Sequence, residues 1–145
     1  EYLTCFKIES AQAASKIRAL IKNCKSKLDA PFDGEESITL YADLEAGISG
    51  SMSSALLTEK IAPVIDYFLN NEKEKAEDAY NYILPLINFE NRQCGFRGTK
   101  TVMKEGGVIK SDFCRHPIKP LDTETKKLLF NFAKKYDLLT YKWGK

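Results

Sequence analysis

The chain has 145 residues, 43% of them hydrophobic, and its 22 basic side chains nearly balance 20 acidic ones for a net charge of +2. That is the size and apolar content of one ordinary globular domain, and so even a charge gives no electrostatic case for nucleic acid or an anionic membrane. No apolar run approaches the roughly 18 to 20 residues that span a bilayer, and no basic segment leads into an apolar signal core, so a soluble cytoplasmic protein is expected.

From Tyr2 to Ile8 the β-branched and aromatic residues alternate with period two, which predicts a strand with Leu3, Cys5 and Lys7 on one face and Tyr2, Thr4, Phe6 and Ile8 on the other. Ser10 reads as an N-cap, and Ala13, Ala14, Ile17, Leu20 and Ile21 recur at helical spacing to about Lys25. A second extended piece, Leu28 to Phe32, runs into Asp33-Gly34-Glu35-Glu36, after which Ile38, Leu40, Tyr41, Leu44 and Ala46 form a weaker helical pattern. The segment Gly47 to Ser54 is a third strand candidate ending in a glycine and serine loop. It precedes a helix from about Leu57 that Pro63 is expected to kink or delay. Three strand-loop-helix units in succession are the pattern of parallel α/β architecture.

Beyond Asn70-Asn71 the alternation stops. Helices are predicted from Glu72 to about Phe89, from about Cys94 to Glu105 with a C-cap at Gly106-Gly107, and from an Asp122 N-cap to about Tyr141. The division expected is residues 1–71 as the α/β portion and 72–145 as a helical extension. Three parallel strands alone leave two unprotected sheet edges, and the chain opens on Glu1 rather than methionine, so it is expected to be part of a longer protein.

Lys7 ends the row Leu3-Cys5-Lys7. If that row faces inward, desolvation disfavours the ammonium and makes the amine nucleophilic, as attack on a carbonyl to form an imine requires. The same residue also fits an edge lysine that discourages strand pairing. Gly47 to Ser54 offers backbone donors and hydroxyls at a strand end, where parallel α/β proteins bind ligands, but it is neither a P-loop nor a dinucleotide fingerprint and equally fits a tight turn. Asp33 to Glu36 fits ligand binding at an equivalent strand end, or ordinary turn chemistry. Arg97, Lys100 and Lys104 read as a solvated helical stripe beside Arg92, and Tyr67, Tyr80 and Tyr82 as packing residues. The four cysteines form no C-x-x-C pair and share the chain with one histidine, His116, so no metal site is expected; Cys5 and Cys94 read as small core residues.

Taken together, the strings FKIES, FDGEES, AGISGSMSS, LPLINFENRQCGFRGTKTVMKEGGVI and RHPIKPL resemble the C-terminal half of the dihydrodipicolinate synthase and N-acetylneuraminate lyase superfamily, over nearly the whole chain. The resemblance implies strands six to eight of a (β/α)8 barrel followed by a three-helix extension. Lys7 would be the Schiff-base lysine of the sixth strand, and Gly34, Glu35, Ile48 and Ser49 would contact substrate. Within the superfamily, ENRQCGFRGTKTVMKEGGVIKSD and RHPIKPL are most similar to the 2-keto-3-deoxy-L-arabonate dehydratases. This implies dehydration of that sugar acid to 2-oxoglutarate semialdehyde, a small 2-keto acid as partner, no cofactor and a tetramer. The family's fifth-strand tyrosine and the hydroxyl pair after its second strand have no counterpart here, so these residues alone are expected to be inactive. A dihydrodipicolinate-type synthase or another pyruvate-type aldolase is the alternative within the superfamily; a non-enzymatic helical interaction module is the alternative outside it.

Overall fold

The computed structural model describes residues 5–24 and 28–145. Residues Tyr2 to Thr4 of the predicted opening strand, and Lys25 at the end of the predicted first helix, lie outside them. The chain divides into two compact units, Glu1–Ser53 with Lys60–Tyr82, and Ser54–Glu59 with Ile83–Lys145.

In the first unit β1 (Lys7–Ile8), β2 (Phe32–Asp33) and β3 (Gly50–Ser51) form a parallel sheet in the order β1-β2-β3. Lys7 is in register with Phe32 and Phe32 with Gly50; Ile8, Asp33 and Ser51 form the next row. Parallel neighbours need crossover connections. Helices α1 (Ala13–Cys24) and α2 (Leu40–Glu45) supply them. Both bury an apolar stripe, with Ile17 and Leu40 fully inaccessible and Leu44 nearly so. Ser10 does not cap α1: the helix starts at Ala13, after Gln12 at φ 61°, and the Ser10 hydroxyl accepts from Lys16 Nζ at 2.8 Å. Six residues later a lysine ammonium offers that hydroxyl a stronger partner than a helix amide.

Helix α3 (Thr58–Leu69) begins ahead of Pro63 and runs through it. Burial of Ile61 and Val64 on its inner face outweighs the one backbone hydrogen bond that proline removes. Asn71, at φ 64°, ends the helix at the asparagine pair beyond which the strand-helix alternation stops, and the Glu72 amide turns back to the Tyr67 carbonyl at 2.8 Å. Helix α4 (Lys73–Phe89) follows. In the first unit its Tyr80 is buried, donates to the Ile38 carbonyl and stacks on Tyr41, whereas Tyr82 is 59% exposed.

The second unit continues from α4 through a π-helical turn (Glu90–Cys94) into α5 (Phe96–Glu105). Helix α5 stops as predicted: Gly107 at φ 75° reverses the chain, and the Val108 amide reaches the Met103 carbonyl at 2.8 Å. Helix α6 (Thr123–Lys135) is capped by Asp122, whose Oδ1 accepts from the Thr125 amide at 2.9 Å. It ends well before Tyr141. Asp137, at φ 49°, makes the same reversal that glycine makes in α5, the Leu138 amide meets the Ala133 carbonyl at 2.9 Å, and Leu138 is driven into the core. A 3-10 turn, Leu139–Tyr141, completes the chain. The core of this unit gathers Leu86, Ile87, Val102, Leu129 and Leu138, all essentially inaccessible.

Candidate functional site

The first unit places Lys7 in the first row of its sheet, one residue before the strand ends at Ile8. Exposure alternates along β1 and its flanks, with Cys5, Lys7 and Glu9 exposed and Phe6, Ile8 and Ser10 half-buried. Period two is therefore as predicted, but the row expected to face inward is the more open one in this chain. Cys5 is accordingly not a core residue, whereas Cys94 is, its thiol pushed up to about 12 by burial, with nearby Glu90 reinforcing the shift. The Lys7 side chain is 35% exposed and its Nζ lies 2.9 Å from Glu9 Oε2. The hydrogen bond to Glu9 raises the ammonium's pKa above the ordinary lysine value; desolvation pulls the other way, and Glu9, Glu36 and Asp33 add attraction. The desolvation expected to lower it is thus present but outweighed.

Against the Lys7 stem lies the turn that follows β2. A Cβ on Gly34 would fall 2.7 Å from both Lys7 Cγ and the Ile8 carbonyl oxygen. Glycine is required there by space, not by backbone angle. The next residues are strained: Glu36 and Ser37 have φ of 54° and 68°, the left-handed region that non-glycine residues rarely occupy. Asp33, fully buried, holds them. Its Oδ1 accepts from the Glu35 amide at 3.3 Å, and its Oδ2 accepts from the Ser37 amide at 3.0 Å and the Ser51 hydroxyl at 2.7 Å. Since Ser51 spends its proton on Asp33, the Ser37 hydroxyl, 2.9 Å away, donates to Ser51. The turn is thereby tied to β3. Burial raises the Glu36 carboxyl above its ordinary range, Lys7 pulls it back, and Glu9 and Asp33 push it further up.

Behind the turn, α2 presents Asp43. It is fully buried; its Oδ2 accepts from the Thr39 hydroxyl at 2.7 Å, and its Oδ1 has no hydrogen-bond partner among the described residues. Desolvation pushes this carboxyl up to about 6; the Thr39 bond opposes the shift, while Asp33 and Glu35 reinforce it. Tyr80, whose phenol is pushed up to about 12 by burial, feels both aspartates.

Of the residues expected to contact substrate, Gly34 is packed on Lys7 and Glu35 follows it, half-buried. The register partner along the Lys7 row is Gly50, which the Phe32 ring covers so closely that a Cβ would fall 2.7 Å from it. Ile48 and Ser49 precede Gly50. Ile48 is buried, and the Ser49 hydroxyl, on an exposed residue, donates to the Ala30 carbonyl at 3.2 Å. The hydroxyls of the Gly47 to Ser54 segment are thus largely engaged within the protein, although Ser53 Oγ is buried without a partner among the described residues. Sequence reasoning missed Glu9, Ser37 and Asp43 as parts of the site, and offered Ser51 only as one hydroxyl of the Gly47 to Ser54 segment. Asp43 carried a signal, since an acid between Leu40 and Leu44 falls on the stripe that α2 buries.

In the second unit the basic stripe is not simply solvated. Arg97 donates to the Cys94 and Lys119 carbonyls, Lys100 to the Phe113 carbonyl, and Lys104 pairs with Asp112 at 2.7 Å, so the stripe clasps the loop before α6. A cavity of about 530 Å³ between α5 and that loop is lined by Arg97, Phe113, His116 and Leu121 among others, and by none of the residues expected to contact substrate. Buried Glu90 accepts from the Ser54 hydroxyl at 3.1 Å and the Thr99 hydroxyl at 2.7 Å. Among the described residues no group of three or more His, Cys, Asp or Glu is placed to hold a metal, and no helix is long and apolar enough to cross a membrane.

A lysine amine with a glycine against its stem, beside a buried carboxyl network where a parallel strand ends, can support carbonyl chemistry. Comparison with known proteins points the same way. The pattern of the Dihydrodipicolinate synthetase family matches residues 4–136. The chain is 41% identical over 144 residues to the L-2-keto-3-deoxyarabonate dehydratase of Azospirillum brasilense, covering 99% of this chain and 47% of that protein. It is 27% identical over 110 residues to the 4-hydroxy-tetrahydrodipicolinate synthase of a Hydrogenobaculum species, covering 74% of this chain and 37% of that one. Its fold is similar to the crystal structure of dihydrodipicolinate synthase from Aquifex aeolicus, with a TM-score of 0.82, 20% identity, and coverage of 94% of this chain and 46% of that one. The chain thus spans less than half the length of these relatives.

Proposed function

Because the chain belongs to the dihydrodipicolinate synthetase family, we propose that it contributes the imine-forming lysine of a Schiff-base lyase acting on a 2-keto-3-deoxy sugar acid. The observation that carries the reading is Lys7 on β1 with the Gly34 backbone packed on its stem, in a chain 41% identical to a dehydratase. In this reading β1, β2 and β3 are strands six, seven and eight of a (β/α)8 barrel. Residues 1–71 are barrel, 72–145 are a helical extension, and the open face of β1 is covered by the other strands.

The substrate carboxylate competes with Glu9 for the Lys7 ammonium, which gives a proton to solvent so that the neutral amine attacks the C2 ketone; a proton returned to the carbinolamine oxygen lets it leave as water, and a protonated imine remains. Its electron withdrawal acidifies C3. Loss of a C3 proton gives an enamine, which expels the C4 hydroxyl as water once that oxygen is protonated. Hydrolysis of the imine then frees Lys7 and, after tautomerisation, a keto-acid semialdehyde. The preferred substrate is 2-keto-3-deoxy-L-arabonate and the product 2-oxoglutarate semialdehyde. Gly34, Glu35, Ile48 and Ser49 are the proposed substrate contacts, no cofactor takes part, and the assembled enzyme is a cytoplasmic tetramer. These 145 residues alone are not expected to turn over, because the groups that shuttle protons in the family have no counterpart among them.

The enamine also serves condensation, and the 27%-identical synthase supports that second reading. Borohydride with a 2-keto acid should trap the full-length enzyme at Lys7, and trapping that survives Lys7→Ala would defeat the assignment. Product analysis with 2-keto-3-deoxy-L-arabonate against pyruvate plus aspartate semialdehyde separates dehydratase from synthase.

A further inference from the structure

We propose that Asp43 is held as a neutral carboxylic acid donating its proton to Asp33, and that this acid–carboxylate pair is the positioning device that locks the Asp33 to Ser37 turn beside Lys7. The role beside Lys7 rests on the imine reading above; the existence of the pair does not.

The proton follows from counting donors. Every hydrogen bond found on Asp33 comes to it as acceptor: two turn amides and the Ser51 hydroxyl. Asp43 accepts from Thr39 through Oδ2, but its buried Oδ1 finds no donor among the described residues. Asp33 acts on the Asp43 carboxyl both as a like charge and as a side-chain hydrogen-bond partner. Two ionised carboxylates so buried and so close would each face a like charge and leave one oxygen orphaned. A single proton on Asp43 removes both penalties, because the carboxyl that lacks a donor then supplies one to Asp33.

Among the described residues that act on Asp43, none is a basic group that could substitute for that proton. The groups that act on Asp43 are the Thr39 hydroxyl beside α2, Asp33 on β2, Glu35 in the turn and the Tyr80 phenol on α4, the last buried and itself donating to the Ile38 carbonyl. Lys7 is held by Glu9. Burial accordingly raises the Asp43 carboxyl to about 6, against its ordinary 3.8.

The mechanical consequence lies in the turn. Glu36 and Ser37 occupy the left-handed region, and a turn under such strain persists only where its surroundings over-determine it. Asp33 is the common acceptor of the turn amides and of β3, and Asp43 sets the orientation of Asp33. Gly34, in the same turn, has no spare room against Lys7 Cγ. A shift of Asp33 is therefore passed to the lysine stem. Asp43 touches neither Lys7 nor substrate in this scheme; it acts through Asp33.

The pair implies a sign. Because the folded value of Asp43 is raised, its stabilising contribution is complete below about pH 4 and is lost as pH rises through about 6. Asp43→Asn keeps a donor toward Asp33 and an acceptor for Thr39 but cannot titrate; Asp43→Ala keeps neither.

Difference infrared spectra of the full-length protein test the pair directly. A carboxylic-acid carbonyl band that disappears as pH rises through about 6 in the wild type, and is missing from Asp43→Asn, is the expected result. Absence of the band in the wild type, or its survival in Asp43→Asn, overturns the proposal. Borohydride trapping at Lys7 tests the positioning role. Asp43→Ala should slow it roughly tenfold and Asp43→Asn by no more than about twofold at pH 5, with the ratio of Asp43→Asn to wild type rising through about pH 6. Taking that ratio cancels the titration of Lys7 itself. Equal trapping in wild type and Asp43→Ala overturns the positioning role. No trapping in the wild type defeats the imine reading instead, and the infrared titration then judges the pair alone.

Discussion

Asp33 in the first unit and Glu90 in the second are both buried acids that collect hydrogen-bond donors, yet the donors differ in kind. Two of those on Asp33 are main-chain amides of a turn containing two left-handed residues, so the carboxyl dictates the path of the backbone. Those found on Glu90 are the side-chain hydroxyls of Ser54 and Thr99, which also lie 2.8 Å from each other, so this carboxyl stitches together segments that are already folded. An acid bound to backbone is hard to replace, because its donors cannot turn elsewhere; an acid bound to hydroxyls leaves groups that can re-pair.

The contrast can be broken by substitution. Asp33→Ala strands two amides and a hydroxyl in a buried site and should cost about 3 kcal/mol in urea unfolding. Glu90→Ala should cost less, about 1 to 2 kcal/mol, since the Ser54 and Thr99 hydroxyls can turn to each other. Equal losses for the two would end the distinction. Gly34→Ala sharpens it from the functional side: the added Cβ must displace the Ile8 carbonyl or the Lys7 stem, so trapping at Lys7 should fall much more than thermal stability does. Asp122→Ala, at an exposed cap in the second unit, should lower the unfolding midpoint slightly and leave trapping unchanged. The smallest effect expected is from Glu9→Gln. It removes the partner that raises the Lys7 ammonium's pKa, so the neutral amine fraction, and with it the trapping rate near neutral pH, should rise a few-fold.

How far the fold was legible depended on whether its signals were local. Gly107 ends α5 where the glycine pair predicts, because a left-handed residue is cheapest in glycine, and Asn71 ends α3 by the same preference in asparagine. Asp137 performs the same reversal in α6 and was missed. What selects it is the burial of Leu138 one residue later, and the helical pattern gave no hint of the stop. Asp122 was found by its type, while Ser10 was misread because the side chain that claims it lies six residues on. At the site, the period of two on β1 was legible and its exposed face was not: alternation tells which residues share a side, never which side is covered.

By itself, the order of residues determined the strand-helix alternation, the helical second half, most helix ends and the kinship to which Lys7 owes its reading, because each depends on spacing or on residue type. Tertiary structure alone decided that Asp33, Ser37, Ser51 and Asp43 meet, that Gly34 lies against Lys7, and that Glu9 raises the lysine's pKa. These facts arise where separate strands and a helix come into register. The low dielectric that gives a buried carboxyl its chemistry exists only once the chain has closed around it.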